Sequence, residues 1–413
     1  MPLVVHDLAK LHIALRGESN KNNGAPGVPA RHFLLSNFSS ALELFLPVTP
    51  KVFPRVLCDP SVLPVVKILL VANPTDPRIN PDSNVCYPTN VPRTFLIDTD
   101  TASDDAVALI MALRAPDIRV VAITTVAGNV PVQQAARNAL YTAELCGSNV
   151  PVYIGADKPL LRKYEDATWF HGHDGLGDHN YPAPHRSAAS LHAVDAIVET
   201  VEANPGLVLV TLGPLTNIAL AVAKKPEIAK NVGRCVIMGG APCCEGNVTP
   251  AAEYNIWVDP EAARMVMRSG LPVELVGWQL SRDEAVLNDE DITHVLGFNT
   301  PLAKFALECN SRGREAYKQQ TGEDGICLPD PVAMAIALDP TIGTEWSEHY
   351  LDIETQSELT RGVTVVDRLN VAEDDRNQKI WEPLLEKKIK AKICWTIDNR
   401  RWKDALFSTL QKP

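Results

Sequence analysis

An α/β fold, a mostly parallel central sheet with helices on both faces in a Rossmann-like arrangement, is predicted by three features of the sequence. Short runs dense in Val, Ile and Leu recur from residue 93 onward, each followed by a stretch of helical periodicity. The runs are almost continuously apolar rather than alternating, as in strands buried on both faces. Acidic and glycine-bearing segments come directly after them, at the strand ends where such sheets bind ligands.

The predicted strands are Thr94–Ile97, Arg119–Val126, Val150–Ile154, Leu207–Leu212, Val232–Met238 and Pro272–Trp278. Between them, Asp104–Ala115, Val132–Cys146, His192–Ala203, Pro214–Lys225 and Pro260–Ser269 read as amphipathic helices. Leu351–Thr355, Arg361–Val371 and Lys392–Ile397 read as an added portion of sheet. A terminal helix follows, with Trp402, Leu406 and Leu410 on one face.

Composition changes near residue 93. Residues 1–92 hold 13 of the 32 prolines, and their recurrence every few residues from Pro47 to Pro92 excludes long helices and central strands there. Val4–Arg16 and Leu34–Phe45 are its two candidate helices, and the rest reads as linker or poorly ordered tail. The expected organisation is a Pro-rich extension, 1–92, ahead of one catalytic domain, 93–413. The extension carries 8 Lys+Arg against 6 Asp+Glu, while the remainder carries 31 − 44 = −13.

A net charge of −11 gives no global field for a polyanion, so nucleic acid is not an expected partner. Nine cysteines at irregular spacing, with no C-x-x-C, read as reduced thiols in a cytosol-like compartment. The vicinal Cys243-Cys244 reads as packed or loop thiols. The apolar stretch Val62–Ala72 is too short for a bilayer and contains Pro64 and Lys67, so no membrane association is expected. A cytoplasmic location is expected, with organelle targeting by the extension left open.

The chemistry concentrates after the first strand, in Asp98-Thr99-Asp100-Thr101-Ala102-Ser103-Asp104-Asp105. Asp104 and Asp105 fall on a first helical turn, where the macrodipole favours acids. That does not explain Asp98 and Asp100, which follow a buried strand and repel the others. Clustered carboxylates at a ligand edge suit a hard divalent cation. Asp330 precedes a proline at a helix start, which capping alone would justify.

Asp98-x-Asp100-x-x-x-Asp104-Asp105-Ala106 resembles the signature of the calcium-dependent nucleoside hydrolases, the inosine–uridine-preferring type. Further motifs agree in order: Val126-Ala127-Gly128-Asn129, His171-Gly172-x-Asp174-Gly175-Leu176-Gly177, Leu212-Gly213-Pro214-Leu215-Thr216-Asn217, Met238-Gly239-Gly240, and Gly246-Asn247-x-Thr249-Pro250-x-x-Glu253-x-Asn255. The resemblance spans roughly residues 93–410 and implies a nucleoside hydrolase-like fold.

The resemblance implies that Asp100, Asp105 and Asp330 bind Ca²⁺ through carboxylates, and Leu212 through its backbone carbonyl. Asp98 would support this shell and Asp104 would contact a ribose hydroxyl. Asn129, Asn247, Glu253 and Asn255 would surround the sugar, with Met238 packed against it. A ring of hydroxyls needs such amide and carboxylate partners at several angles. The implied reaction is hydrolysis of the N-glycosidic bond of a ribonucleoside to free base and ribose, and the implied assembly is a homodimer or homotetramer.

Cleavage passes through an oxocarbenium-like state. The expected roles are a Ca²⁺-bound water and Asp100 as its general base. Leaving-group activation departs from the familiar pattern: many members carry a histidine just before the last calcium-binding Asp, where this chain has Pro329. His171 (taken as catalytic) and His173 are candidates for contacting the base. So is Tyr317, 13 residues before Asp330, as an active-site tyrosine stands in some relatives. Trp169 and Trp278 offer stacking surfaces. A pyrimidine or broad ribonucleoside preference is expected.

Two other readings compete. A non-catalytic ribose- or nucleoside-binding relative would keep the acids and lose the chemistry at Pro329. A haloacid-dehalogenase-type phosphatase also has a strand ending in D-x-D, and Thr211 imitates its second motif; it gives no reason for the Asn247–Asn255 pattern.

Overall fold

The computed structural model describes residues 92–412. The candidate helices at Val4–Arg16 and Leu34–Phe45, and the rest of the extension through residue 91, lie outside the described residues. The main sheet has eight strands in the order β3-β2-β1-β4-β5-β6-β10-β7. These are β1 (Arg93–Thr99), β2 (Ile118–Thr125), β3 (Val152–Ile154), β4 (Leu207–Thr211), β5 (Val232–Met238), β6 (Val273–Val276), β7 (Gly343–His349) and β10 (Ala391–Ile397). All neighbours run parallel except β7, which is antiparallel to β10.

Strand alternation divides the apolar runs between two cores. Phe95, Ile97, Val208, Val210, Val236 and Met238 face one side of the sheet. Leu96, Leu207, Leu209, Cys235 and Ile237 face the other. Both sides are covered, which is why these runs are apolar throughout. The helices Ser103–Arg114 and Pro329–Leu338 sit together on the first side, buried over most of their length. Ala193–Ala203, Thr216–Lys224 and Pro260–Met267 cover the second.

The late segments depart from expectation. Of Arg361–Val371, only β9 (Thr364–Val366) is strand, and it pairs with β8 (Leu351–Ile353) in a separate two-stranded sheet. β10 instead enters the main sheet between β6 and β7. β7 itself, Gly-Thr-Glu-Trp-Ser-Glu-His, has no apolar run to announce it, because an edge strand is half solvated. The helices Asp289–Gly297, Pro301–Cys309 and Ser311–Thr321 were also not expected. The terminal helix Asn399–Leu410 buries Trp402, Leu406 and Leu410 as anticipated. The seven cysteines among the described residues are free thiols, Cys243 and Cys244 included. No helix among the described residues is long and apolar enough to cross a membrane.

Strand order reverses beside β1: the chain runs outward through β2 and β3 on one side and through β4, β5 and β6 on the other. A crevice opens at the carboxyl ends of β1 and β4, the usual ligand position in such sheets. Asp100 follows β1 at this point, and Leu212-Gly213 follows β4.

Candidate active site

Two helix starts meet at the crevice. Ser103–Arg114 brings Asp104 and Asp105, and Pro329–Leu338 brings Asp330, in each case on the first turn. Oxygens of Asp104, Asp105 and Asp330 lie within 4.8 Å of one another. The carboxyls of Asp330 and Asp105 are within hydrogen-bonding reach, and Asp100 stands close enough for its charge to act on Asp330. Asp330 is therefore on the same side of the sheet as the first acids, 225 residues further along the chain than Asp105.

Backbone and side-chain donors hold the acids in place. Asp100 Oδ2 accepts from the Asn129 N–H at 2.6 Å. Asp105 accepts from Thr99 Oγ1 at 2.5 Å and from the Ala102 N–H at 2.9 Å. Asp98 accepts from Thr124 Oγ1 at 2.5 Å and Asn217 Nδ2 at 2.8 Å, which fixes it behind the cluster. Two glycines of the motifs permit the approach. A Cβ at Gly213 would stand 2.7 Å from Asp100 Oδ1, and one at Gly128 would collide with Oδ2.

Burial pushes every one of these acids up. Asp98 rises to about 7 through burial alone. Asp104 rises to about 6 by burial, and Asp105 to about 6 by burial and then the charge of Asp104. Asp100 and Asp330 are raised well above the carboxylate range, first by burial and then by their acidic neighbours. Asp98 Oδ2, Asp100 Oδ1 and Asp104 Oδ1 are buried with no hydrogen-bond partner. Several like charges in a dry pocket, with oxygens left over, are offset by a cation. An all-oxygen donor set of this kind fits a hard divalent ion.

The tightest trio is Asp104, Asp105 and Asp330, whereas Asp100, Asp105 and Asp330 were expected to be the ligand carboxylates. Asp100 is set back because one of its oxygens is committed to Asn129, with the other free beside the trio.

The cluster opens into a cavity. One part of its wall is formed by Asp104, Asn129, Leu212, Glu253, Asn255 and Asp330. Asn255 Nδ2 donates to the Leu212 carbonyl at 2.8 Å and touches Met238 Sδ at 3.3 Å, so Met238 is held on the wall. Glu253 caps the helix Tyr254–Val258 and also accepts from the Gly240 N–H at 2.7 Å. Burial raises Glu253 to about 7. Asn247 lines the cavity and accepts from the Tyr254 N–H at 2.9 Å.

Aromatic side chains form another part of the wall: Trp169, Phe170, Trp278 and Tyr317 line the cavity, Trp278 and Tyr317 in one apolar cluster with Phe170 packed against it, and Pro329 lines it too. His171 also lines the cavity. Its Nδ1 stands 2.8 Å from Ser103 Oγ and 3.7 Å from Asp104 Oδ1. Burial lowers it to about 4, so the imidazole is neutral near pH 7. His173 is a correction: it is exposed and does not line the cavity, because its N–H turns to Asp178 and its ring points to solvent.

Several contributors carry no signal that spacing could reveal. Thr99, Thr124 and Ser103 are common residues whose roles depend on the folded position of Asp105, Asp98 and His171. Gln320 donates to the Asn247 carbonyl from a helix that the periodicity did not show.

A family model, inosine-uridine preferring nucleoside hydrolase, matches residues 95–404. An uncharacterised protein of Schizosaccharomyces pombe is 42% identical over 287 residues, covering 66% of this chain and 88% of its own length. A pyrimidine-specific ribonucleoside hydrolase RihA of Shewanella is 37% identical over 321 residues, covering 77% of this chain and 96% of its own. Among solved structures, a plant nucleoside hydrolase superposes with a TM-score of 0.73 at 31% identity, covering 78% of this chain and 100% of that one. Phosphatase chemistry is set aside by these matches, and this chain belongs to the inosine-uridine preferring nucleoside hydrolase family.

Proposed function

We propose that this chain, a nucleoside N-ribohydrolase, cleaves ribonucleosides with Asp100 as general base beside a Ca²⁺ held by Asp100, Asp105, Asp330 and the Leu212 carbonyl. The observation that carries the proposal is the convergence of Asp330 with Asp104 and Asp105 beside the free oxygen of Asp100. A hard divalent cation bound there supplies positive charge that grips vicinal hydroxyls and makes water more acidic.

The chain's own groups do the rest. Asp100 Oδ1, with no protein partner, takes the proton of the attacking water as its oxygen bonds to the anomeric carbon. The bond to the base nitrogen breaks with its electron pair leaving on the base. Carboxylates in the cavity wall favour the positive charge that grows on the sugar. Asp104, Asn129, Asn247, Glu253 and Asn255 hold the ribose hydroxyls, and Met238 packs on the ring. Asp98 keeps the strand end in register through Thr124 and Asn217. Neutral His171 serves as a hydrogen-bonding partner beside Asp104 rather than as a cationic acid.

The aromatic part of the wall supports binding of the base. Preference for pyrimidine or broad ribonucleosides is consistent with the pyrimidine-specific relative. Free thiols support a cytosol-like location, and the family resemblance supports a homodimer or homotetramer around a catalytic domain at 93–413. A panel of ribonucleosides assayed for free ribose, with and without chelator, tests the proposal. Cation-dependent ribose release supports it. Tight binding without release, in saturating Ca²⁺, would instead identify a non-catalytic nucleoside binder.

A further inference from the structure

Tyr317 reaches the aromatic part of the cavity wall from the helix Ser311–Thr321. That helix ends at Gly322, whose φ of +80° reverses the chain as glycine readily does. Thr321 Oγ1 donates to the Tyr317 carbonyl at 2.8 Å and accepts from the Glu323 N–H at 3.1 Å, which fixes the reversal. Of the two acids that follow, Asp324 turns outward to Arg314 and Lys318. Glu323 turns back, and Tyr317 Oη–H donates to its Oε2 at 2.5 Å.

A phenol has one proton to give. Here it is committed to a carboxylate, in the short range of a charge-assisted bond. Burial and then this bond raise Tyr317 above the ordinary phenol range, so the proton stays on the tyrosine. What remains for a ligand is the lone pair of Oη, and donation to a carboxylate makes that oxygen a better acceptor. Pro329, nearby in the same lining, offers no side-chain hydrogen bond of its own. With the sugar at the acids, as proposed, the aromatic part of the wall meets the edge of the base remote from the glycosidic bond.

Resting on the proposed placement of sugar and base, we infer that Glu323 is a positioning residue that makes Tyr317 a hydrogen-bond acceptor, so that the site selects nucleobases carrying a ring N–H on the edge remote from the sugar. Uracil, hypoxanthine and guanine present such a ring N–H, and methylation of that nitrogen removes it.

The test compares uridine with 3-methyluridine, and inosine with 1-methylinosine, as kcat/KM from free ribose on the full chain. Wild type favours the parent nucleoside by about 100-fold, the scale of one hydrogen bond lost with its buried partner left unpaired. Glu323→Gln keeps shape and an acceptor but loses the charge, and lowers the ratio to roughly tenfold. Glu323→Ala and Tyr317→Phe bring it within about threefold. A merely structural Glu323 would depress parent and methylated substrates alike and leave the ratio in place. That result overturns the inference, as does a wild type that accepts both members of a pair equally, which needs no variant to fold. A steric origin is exposed by an unchanged ratio in Glu323→Gln and also overturns it. Should no ribonucleoside release ribose, the hydrolytic assignment itself has failed, and this inference with it.

Discussion

Asn129 donates its backbone N–H to Asp100 Oδ2 at 2.6 Å, and the other oxygen of the same carboxylate is buried with no partner. One half of the side chain is thereby anchored and the other left for chemistry. Residues 29 apart in sequence, just beyond the ends of β1 and β2, come together because the two strands are parallel neighbours.

Replacing Asp100 by Asn keeps the shape and removes the base. Turnover is expected to fall about 1,000-fold, within the usual range for a general base. Without added cation the variant is expected to melt at least about 2 °C higher than wild type, since a buried like charge has gone. Ribose release and thermal melts check the pair of effects; retained turnover would remove Asp100 from its role.

Stability of the cation-free protein should depend on pH in a defined direction. Asp98, Asp104 and Asp105 move from an ordinary value of 3.8 to about 7, 6 and 6 on folding. Raised acids contribute stability that is complete below their unfolded value and is lost as pH climbs through the folded one. The chelated protein should therefore lose stability between about pH 4 and pH 7, and Ca²⁺ should restore most of it at the upper end. Melting curves at stepped pH, with chelator and with Ca²⁺, measure the gap between the two. A gap that does not widen with pH contradicts the reading.

Asn217 ties three segments through one amide: Asp98 at 2.8 Å, the Thr125 carbonyl at 2.9 Å and the Ala156 N–H at 2.9 Å. Asn217→Ala leaves Asp98 with Thr124 as its remaining side-chain donor and should cost about 2 kcal/mol of stability. Turnover should drop about tenfold through misplacement of the strand end. Denaturant unfolding and steady-state kinetics on the same preparation separate the two. Full activity with lowered stability would make the contact purely structural.

The sheet was legible because its strands are buried on both faces, leaving near-continuous runs such as Phe95–Ile97 and Leu207–Thr211. The acids at 98, 100, 104 and 105 were legible because they are adjacent in the chain. Asp330 was not: an Asp before Pro331 reads in sequence as a helix cap, whereas the helix starts earlier, at Pro329, with Leu328 at the cap position and Asp330 on the first turn, and only its likeness to a family motif joined it to the others. Glu323 was hidden for a different reason. Its contact with Tyr317 depends on the left-handed turn at Gly322, and that helix has too polar a sequence to show a stripe. β7 escaped because half of its side chains face solvent at the sheet edge.

Diffraction from crystals grown with Ca²⁺, with the ion located by its anomalous signal, tests the central claim most directly. One ion per chain is predicted, contacting oxygens of Asp100, Asp105 and Asp330 and the Leu212 carbonyl. An ion bound elsewhere, or none at these four residues in saturating Ca²⁺, would contradict it.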